Sequence, residues 1–466
     1  MGQYNNKTKS LRAQDSTNFE VMMLADKFGQ PADWRPDFTS KNRMKMSQPQ
    51  TIFYNTFGDS LNDNNWDTVF IQGPGDNDTA IAAPTATEKS ITMSVANPGD
   101  KIIRQTRTVV PYIPGKEQMF SISLRYDQPT TGIKRRAGLF DINNGAFFED
   151  TGVPVTIDGV DYPTNYHVCI LKNGVRVVDI PRQEWNGDRL DGTGRSGIVA
   201  ESLAQQLLVI EYEWYGTGMV RFGYIIDNEY HTVHTVYNAN NNTEGTWTAT
   251  PFLPIRVEIQ ALNGEPENPG VVYGDPGTPH YFYQSSSSVV AEGGIETLGT
   301  PHNVMSGAGN SNPGGDGTIT QSGTGNLGNA RTYTPVLSIR LKSNSLEGVA
   351  IPTRLQVGTE DNTALYFHVV KNANLTGATW NVELEPETAI EADEDASTAT
   401  YNPGDILFSG FVANGQGTPI ELEPFQIGRI PSPDFDTLES ETITVMMTAV
   451  QGSKLGIASL TWIEQP

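Results

Sequence analysis

QQLLVIEYEW (205–214), MVRFGYIID (219–227) and EYHTVHTVY (229–237) follow one another with almost nothing between them. Leu208, Ile210, Tyr212 and Trp214 fall on one face of the first segment, and Val220, Phe222, Tyr224 and Ile226 on one face of the second. The breaks are short and polar: Gly216, Thr217 and Gly218, then Asp227 and Asn228. Apolar alternation with a period of two, punctuated by tight turns, is the pattern of an antiparallel sheet with one packed face. It predicts an all-β chain before any chemistry enters.

Outward from this segment the same signal recurs. WDTVFIQ, SITMSV, KIIRQTRTVV, EQMFSISLRY, KRRAGLF, NYHVCILK, VRVVDI and PIRVEIQ are separated by turn strings such as NPGD, PYIPGK, INNG and KNG. No amphipathic helix lies between them, which favours a β-sandwich of jelly-roll or lectin-like type over a parallel α/β sheet. This sandwich is expected over 61–290. Residues 291–332 are rich in Gly, Ser, Asn and Thr and read as a linker or long loop. TPVLSIRLK, ALYFHVVKN, ATWNVELE, DILFSGFV, ETITVMMTAV and IASLTWIE then predict a smaller β-sandwich over 333–466. Residues 1–60 read as an extended N-terminal arm, with a short helix over 18–28 capped by Asn18 and stopped by Gly29. Trp34, Phe38, Met44 and Met46 are too apolar for a free tail and predict that the arm docks, on its own domain or on another copy.

Composition narrows the function. The net charge is −23 and only 18% of residues are charged. Such acidity repels phosphate backbones and anionic lipid, so neither nucleic acid nor a membrane surface is expected as a partner. No apolar run reaches the length of a membrane-spanning helix, and MGQYNNKTKS has neither the apolar stretch of a Sec leader nor a myristoylation pattern. Cys169 is the sole cysteine, so no internal disulfide forms; its place in the apolar string YHVCILKNG predicts a buried, inert thiol.

Strings that resemble chemical motifs fail in context. GTGRSG places Gly192, Gly194 and Gly197 in a G-x-G-x-x-G pattern, but no strand precedes it, so a glycine-rich loop is expected and no cofactor. Glu211 and Glu213 share one strand face, and a carboxylate pair could serve a glycosidase; the alternative is a solvated polar face. His231 and His234, three apart on a strand, point to opposite sides and do not share a metal. Glu391, Asp393, Glu394 and Asp395 lack the glycine and spacing of a calcium loop and read as a solvated run. Among the aromatics Tyr112, Trp185, Trp214, Tyr215 and Tyr237, the turn-adjacent Trp185 and Tyr215 are the candidate ligand or subunit contacts, with Asp191 and Arg195 from the loop between them.

GDKIIRQTRTVVPYIPGKEQMF, RRAGLFDINNGAFFE, EWNGDRLDGTGRSGI, LLVIEYEWYGTGMVRFGYIIDNEYHTVH and VYNANN, with NLTGATWNVELE and GIASLTWIE near the end, resemble a family of virion structural proteins of tailed, often marine, bacteriophages. The resemblance spans about 50–466 and brings no catalytic residue with it. It implies a particle component assembled in the bacterial cytoplasm, partnered by other virion proteins and by copies of itself in a symmetric homo-oligomer such as a trimer. A tail, baseplate or fibre position is expected, with head-surface decoration as the alternative. Two rival readings stand beside it. One is a host-adsorption module binding surface glycan. The other is a glycan depolymerase built on Glu211 and Glu213.

Overall fold

The structure, a computed structural model, describes Lys9–Arg12, Asn18–Val21 and most of residues 49–465. Outside the described residues lie the rest of 1–48, 294–299, 307–317, 320–332, 381–387, 394–397, 401–404, 423–439 and shorter loop positions. Trp34, Phe38, Met44, Met46 and Tyr215 fall among these. The short helix expected over 18–28 is not formed at its start. Asn18–Val21 is a strand in register with Lys9–Arg12, in keeping with the alternation of Phe19 and Val21.

The first sandwich runs in chain order through β1 (Pro49–Thr56), β2 (Trp66–Ile71), β3 (Ile81–Thr85), β4 (Ser90–Val95), β5 (Lys101–Thr106), β6 (Gln118–Tyr126), β7 (Ile133–Phe140) and β8 (Gly145–Asp150). It continues with β9 (Tyr166–Lys172), β10 (Val175–Pro181), β11 (Gln205–Tyr212), β12 (Val220–Ile226), β13 (Glu229–Val236), β14 (Ile255–Ala261) and β15 (His280–Glu292). One sheet has the order β10-β9-β8-β7-β14-β5-β2. The other has the order β13-β12-β11-β6-β15-β4-β3, with β1 also paired to β15. Every pairing in the two sheets is antiparallel. Between them lies one apolar core, drawn from Ile102, Ala137, Val168 and Val257 on one side and Phe120, Leu208, Phe222 and Phe282 on the other. Full burial of such side chains contributes roughly 1.5–3 kcal/mol each, which makes this layer the main source of stability.

The opening segment behaves as its pattern predicts. Leu208 faces Tyr224, Ile210 faces Phe222 and Tyr212 faces Val220, so both apolar sets meet on the core face. Asp227 (φ 52°) and Asn228 (φ 66°) make the two-residue turn from β12 to β13, the left-handed pair that a type I′ hairpin needs.

The second sandwich has two five-stranded sheets. One is built around Lys454–Gln465 and Val349–Thr359, the other around Thr334–Leu341, Thr442–Ala449 and Leu365–Lys371. Leu337, Phe367, Met447, Leu460 and Trp462 are among its core residues. Thr300–Met305, inside the stretch expected as linker, is a strand of this sandwich paired with Lys454–Gln465. Glu391 and Asp393, expected in a solvated run, are buried on the strand Ile390–Asp393; Arg340 donates to Glu391, and Asp393 accepts from the Thr379 amide.

Candidate functional site

On the seven-stranded sheet, alternation sends one set of side chains into the core and the other outward. On β7, Ile133, Ala137 and Leu139 face the core, and Lys134, Arg136 and Phe140 face away; on β8, Ala146 and Phe148 face in, and Phe147 and Glu149 out. Register does the rest. Glu258 of β14 lies opposite Arg136, Arg136 opposite Glu149, and Glu149 opposite His167 of β9. Two residues along, Phe147 lies opposite both Gly138 and Cys169, and Cys169 opposite Asp179 of β10. Directly opposed pairs of opposite charge stabilise a sheet, and Glu258, Arg136 and Glu149 form such a row across three strands, with His167 next in line on β9. Gly138 makes the row possible. A Cβ there would approach the Ala146 carbonyl to 2.3 Å and the Phe147 Cβ to 2.7 Å. The guanidinium groups of Arg136 and Arg176 stand over the Phe147 ring, 5.3 and 6.0 Å from its centre.

Glu149 is the hub. Arg176 donates to it through both terminal nitrogens, at 2.9 and 3.1 Å, and Arg136 donates from Nε. Burial alone would raise the Glu149 carboxyl, but the charges of Arg136 and Arg176 outweigh it and bring the pKa to about 2. Glu258 is held at about 2 in the same way, by Arg256, Lys101 and Arg136 against its burial. Asp179 accepts from Arg176 at 3.2 Å and lies 2.5 Å from Nδ1 of His167. Its burial is offset by the His167 hydrogen bond and the Arg176 charge, again to about 2. Glu267, from the segment after β14, reaches over the row to Lys134 (3.2 Å) and Arg136 (3.4 Å). Cys169 is buried, as expected, in a small cluster with Phe140 and Phe147; burial and then the Glu149 charge push its thiol up.

Above this floor is a groove of about 730 Å³. Val153–Val155 and Asn165 wall one end, Ile142, Gly174 and Val175 the other, and Glu267 and Asn268 one side. Its volume lies within the range of sites for small ligands. The arrangement supplies fixed donors and acceptors on a rigid sheet, the geometry that binds polar ligands.

The residues singled out from sequence are elsewhere. Trp185 is buried, not a surface contact: its Nε1 donates to the Ile180 carbonyl and its ring packs into the core. The following residues cover the open edge of β13. The Gly187 amide donates to Val233 O, the Asp188 amide to Thr232 O, and Asn186 exchanges side-chain bonds with the Thr235 backbone. The Asn186 amide also donates to Nδ1 of His234, whose burial lowers its pKa. Asp188 folds the GTGRSG loop by accepting from the Leu190 and Ser196 amides. Asp191 accepts from Thr193, while Arg195 is exposed. Tyr112 and Trp214 serve the core end of the sandwich, and Tyr237 is exposed. Glu211 and Glu213 are buried instead of solvated. Tyr230 reaches across Gly223 to hydrogen-bond Glu211, and Arg221 pairs with Glu211 at 3.1 Å. Glu211 belongs to the eight-stranded sheet, away from the groove. The groove set of Arg136, Glu149, His167, Arg176 and Asp179 carries no motif in the linear sequence. The available signal was charge at alternating positions on consecutive apolar strands.

No family model and no curated protein matches the chain. Among solved structures it is similar to a Bacillus licheniformis β-glucanase, at 13% identity and a TM-score of 0.34, covering 52% of this chain and 99% of that one. The Emp47p carbohydrate recognition domain is similar at 10% identity and a TM-score of 0.29, covering 52% and 96%. A legume lectin-like domain from Entamoeba histolytica is similar at 11% identity and a TM-score of 0.28, covering 50% and 95%. The likeness is one of fold.

Proposed function

We propose that this chain is a non-enzymatic recognition and assembly protein whose first sandwich binds a glycan in the groove over β8 and β9. The observation that carries this reading is the prearranged floor, where Arg136, Glu149, Arg176, Asp179 and His167 are fixed to one another at the base of an open groove. Rim carboxylates held in place by arginines on a rigid sheet accept hydrogen bonds from vicinal hydroxyls. A general acid for glycoside cleavage must hold a proton near neutral pH. Glu149 and Asp179 are held at about 2, and Glu267 is also lowered, its burial outweighed by Lys134 and Arg136. These groups therefore act as ionised acceptors.

The sequence resemblance supplies the setting: a structural component of a tailed-phage particle, at the tail, baseplate or fibre, or as head decoration, where glycan binding would serve adsorption. Glycan binding is tested by titration calorimetry of the full chain against gluco-oligosaccharides, with Asp179→Ala as comparison. Saturable binding lost in the variant supports the reading; no binding to any glycan on an array overturns it. Mass spectrometry of purified particles tests the setting, and absence of the chain from them removes it.

A further inference from the structure

The ordering of charge within the groove goes beyond glycan binding to the kind of glycan, and this step rests on the reading above. Glu149 and Glu258 lie deepest, the arginines above them, and two further carboxylates, Asp179 and Glu267, at the rim. Side-chain exposure is 13% for Arg136 and 22% for Arg176, against 41% for Asp179 and 56% for Glu267. The guanidinium nitrogens are already directed at carboxylates. Arg176 Nη1 bonds Glu149 and Asp179; its Nη2 bonds Glu149 and lies 3.6 Å from Glu267. Arg136 spends Nε on Glu149, with Nη1 3.7 Å from Glu258 and Nη2 3.4 Å from Glu267. An anion entering the groove thus meets two rim carboxylates before it meets a cation, on a molecule whose net charge is −23. A ligand hydroxyl, by contrast, finds ionised acceptors facing it.

We infer that the groove selects neutral, hydroxyl-rich glycans and rejects acidic ones, with Asp179 and Glu267 as the residues that set this selectivity. Specificity here comes from the repulsive element as much as from attraction. Glu267 is the more exposed of the two and sits in a loop, so replacing it leaves the floor of the site in place.

The test compares a neutral gluco-oligosaccharide with an oligogalacturonate of equal length, by calorimetry on the full chain at low and high salt. The neutral ligand is expected to bind with an affinity that salt barely changes, and the acidic ligand roughly tenfold or more weaker. Glu267→Gln frees the outward N–H groups of Arg136 and is expected to shift the ratio of acidic-ligand to neutral-ligand affinity roughly tenfold toward the acidic ligand, that ratio being the readout. An oligogalacturonate that binds the unaltered protein as well as the neutral ligand overturns the selectivity while leaving glycan binding intact. Failure of both ligands, and of the wider array, overturns the two together. A Glu267→Gln protein with unchanged preference removes Glu267 from the role.

Discussion

Arg176 and Glu149 meet as a two-pronged fork, Nη1 to Oε1 at 2.9 Å and Nη2 to Oε2 at 3.1 Å, across the strand β9 that separates β8 from β10. The guanidinium therefore spans from β10 over β9 to β8 and ties the sheet edge to its centre. Bidentate geometry and near-complete burial of the carboxylate make this pair unlike an ordinary surface salt bridge.

Glu149→Gln should consequently be costly. It leaves Arg136 and Arg176 partly buried without their shared counter-charge, and a destabilisation of about 3 kcal/mol is expected. Glu267→Gln removes a carboxylate that is mostly in solvent and should cost less than about 1 kcal/mol. Urea unfolding with the slope checked for constancy reads both. Equal costs would mean that Glu149 is not the hub of the row.

Acid should unfold the first sandwich by a defined route. Glu149 and Glu258 are depressed to about 2 in the folded chain, from about 4.5 when unfolded. A depressed folded pKa gives stability that is complete above the unfolded value and is lost as pH falls toward the folded one. The loss is therefore expected between about pH 4.5 and 2, on the order of 3 kcal/mol for each carboxylate. Stability measured at pH 7, 4 and 3 should fall along this course, and Glu149→Gln should flatten the slope. A variant with the same acid slope as the parent would refute the assignment to Glu149.

The loop after Trp185 should prove to be an edge cover. A Cβ at Gly187 would stand 2.3 Å from the Thr232 carbonyl oxygen and 2.9 Å from that of Val233. Gly187→Ala is thus expected to lift residues 186–188 from β13, cost about 1–3 kcal/mol and leave a strand edge open to self-association. Amide exchange at Gly187 and Asp188, with light scattering, tests this. Unchanged protection in the variant would show that the loop does not depend on these contacts.

The fold was legible where strands alternate cleanly and hidden where they do not. β11 and β12 announce themselves through Leu208, Ile210, Phe222 and Tyr224. β15 is longer, but its central serines, Ser285 to Ser288, mask an alternation that two register shifts further interrupt. Val349–Thr359 carries Pro352, which argues against a strand in sequence; the structure accommodates it with a register shift between Pro352 and Arg354. The groove was illegible for a different reason. Arg136, Glu149 and Arg176 acquire meaning only through pairing of β7, β8, β9 and β10, and register across strands is not written in any single strand. Trp185 shows the converse: a turn-adjacent aromatic looks like a contact until the core it closes is known.

The first 48 residues contain eight basic and five acidic side chains, leaving 23 basic against 49 acidic in the remainder. The amino-terminal segment is thus positive on a strongly negative chain, and electrostatics favours its association with an acidic surface, of its own body or of another copy. β1 begins at Pro49 and pairs with β15, so a cut before Pro49 spares the first sandwich. Deletion of residues 1–48 is expected to leave the thermal midpoint of the sandwiches within a few degrees of the full chain, since no described strand of either sheet is removed. The assembled fraction should fall, and in the full-length protein it should fall likewise as salt is raised through the range where the Debye length drops from about 10 to about 3 Å. Multi-angle light scattering across a concentration series reads both effects. A truncated chain that assembles as well as the intact one, in high salt and low, would assign self-association to the sandwiches and leave the segment no part in it.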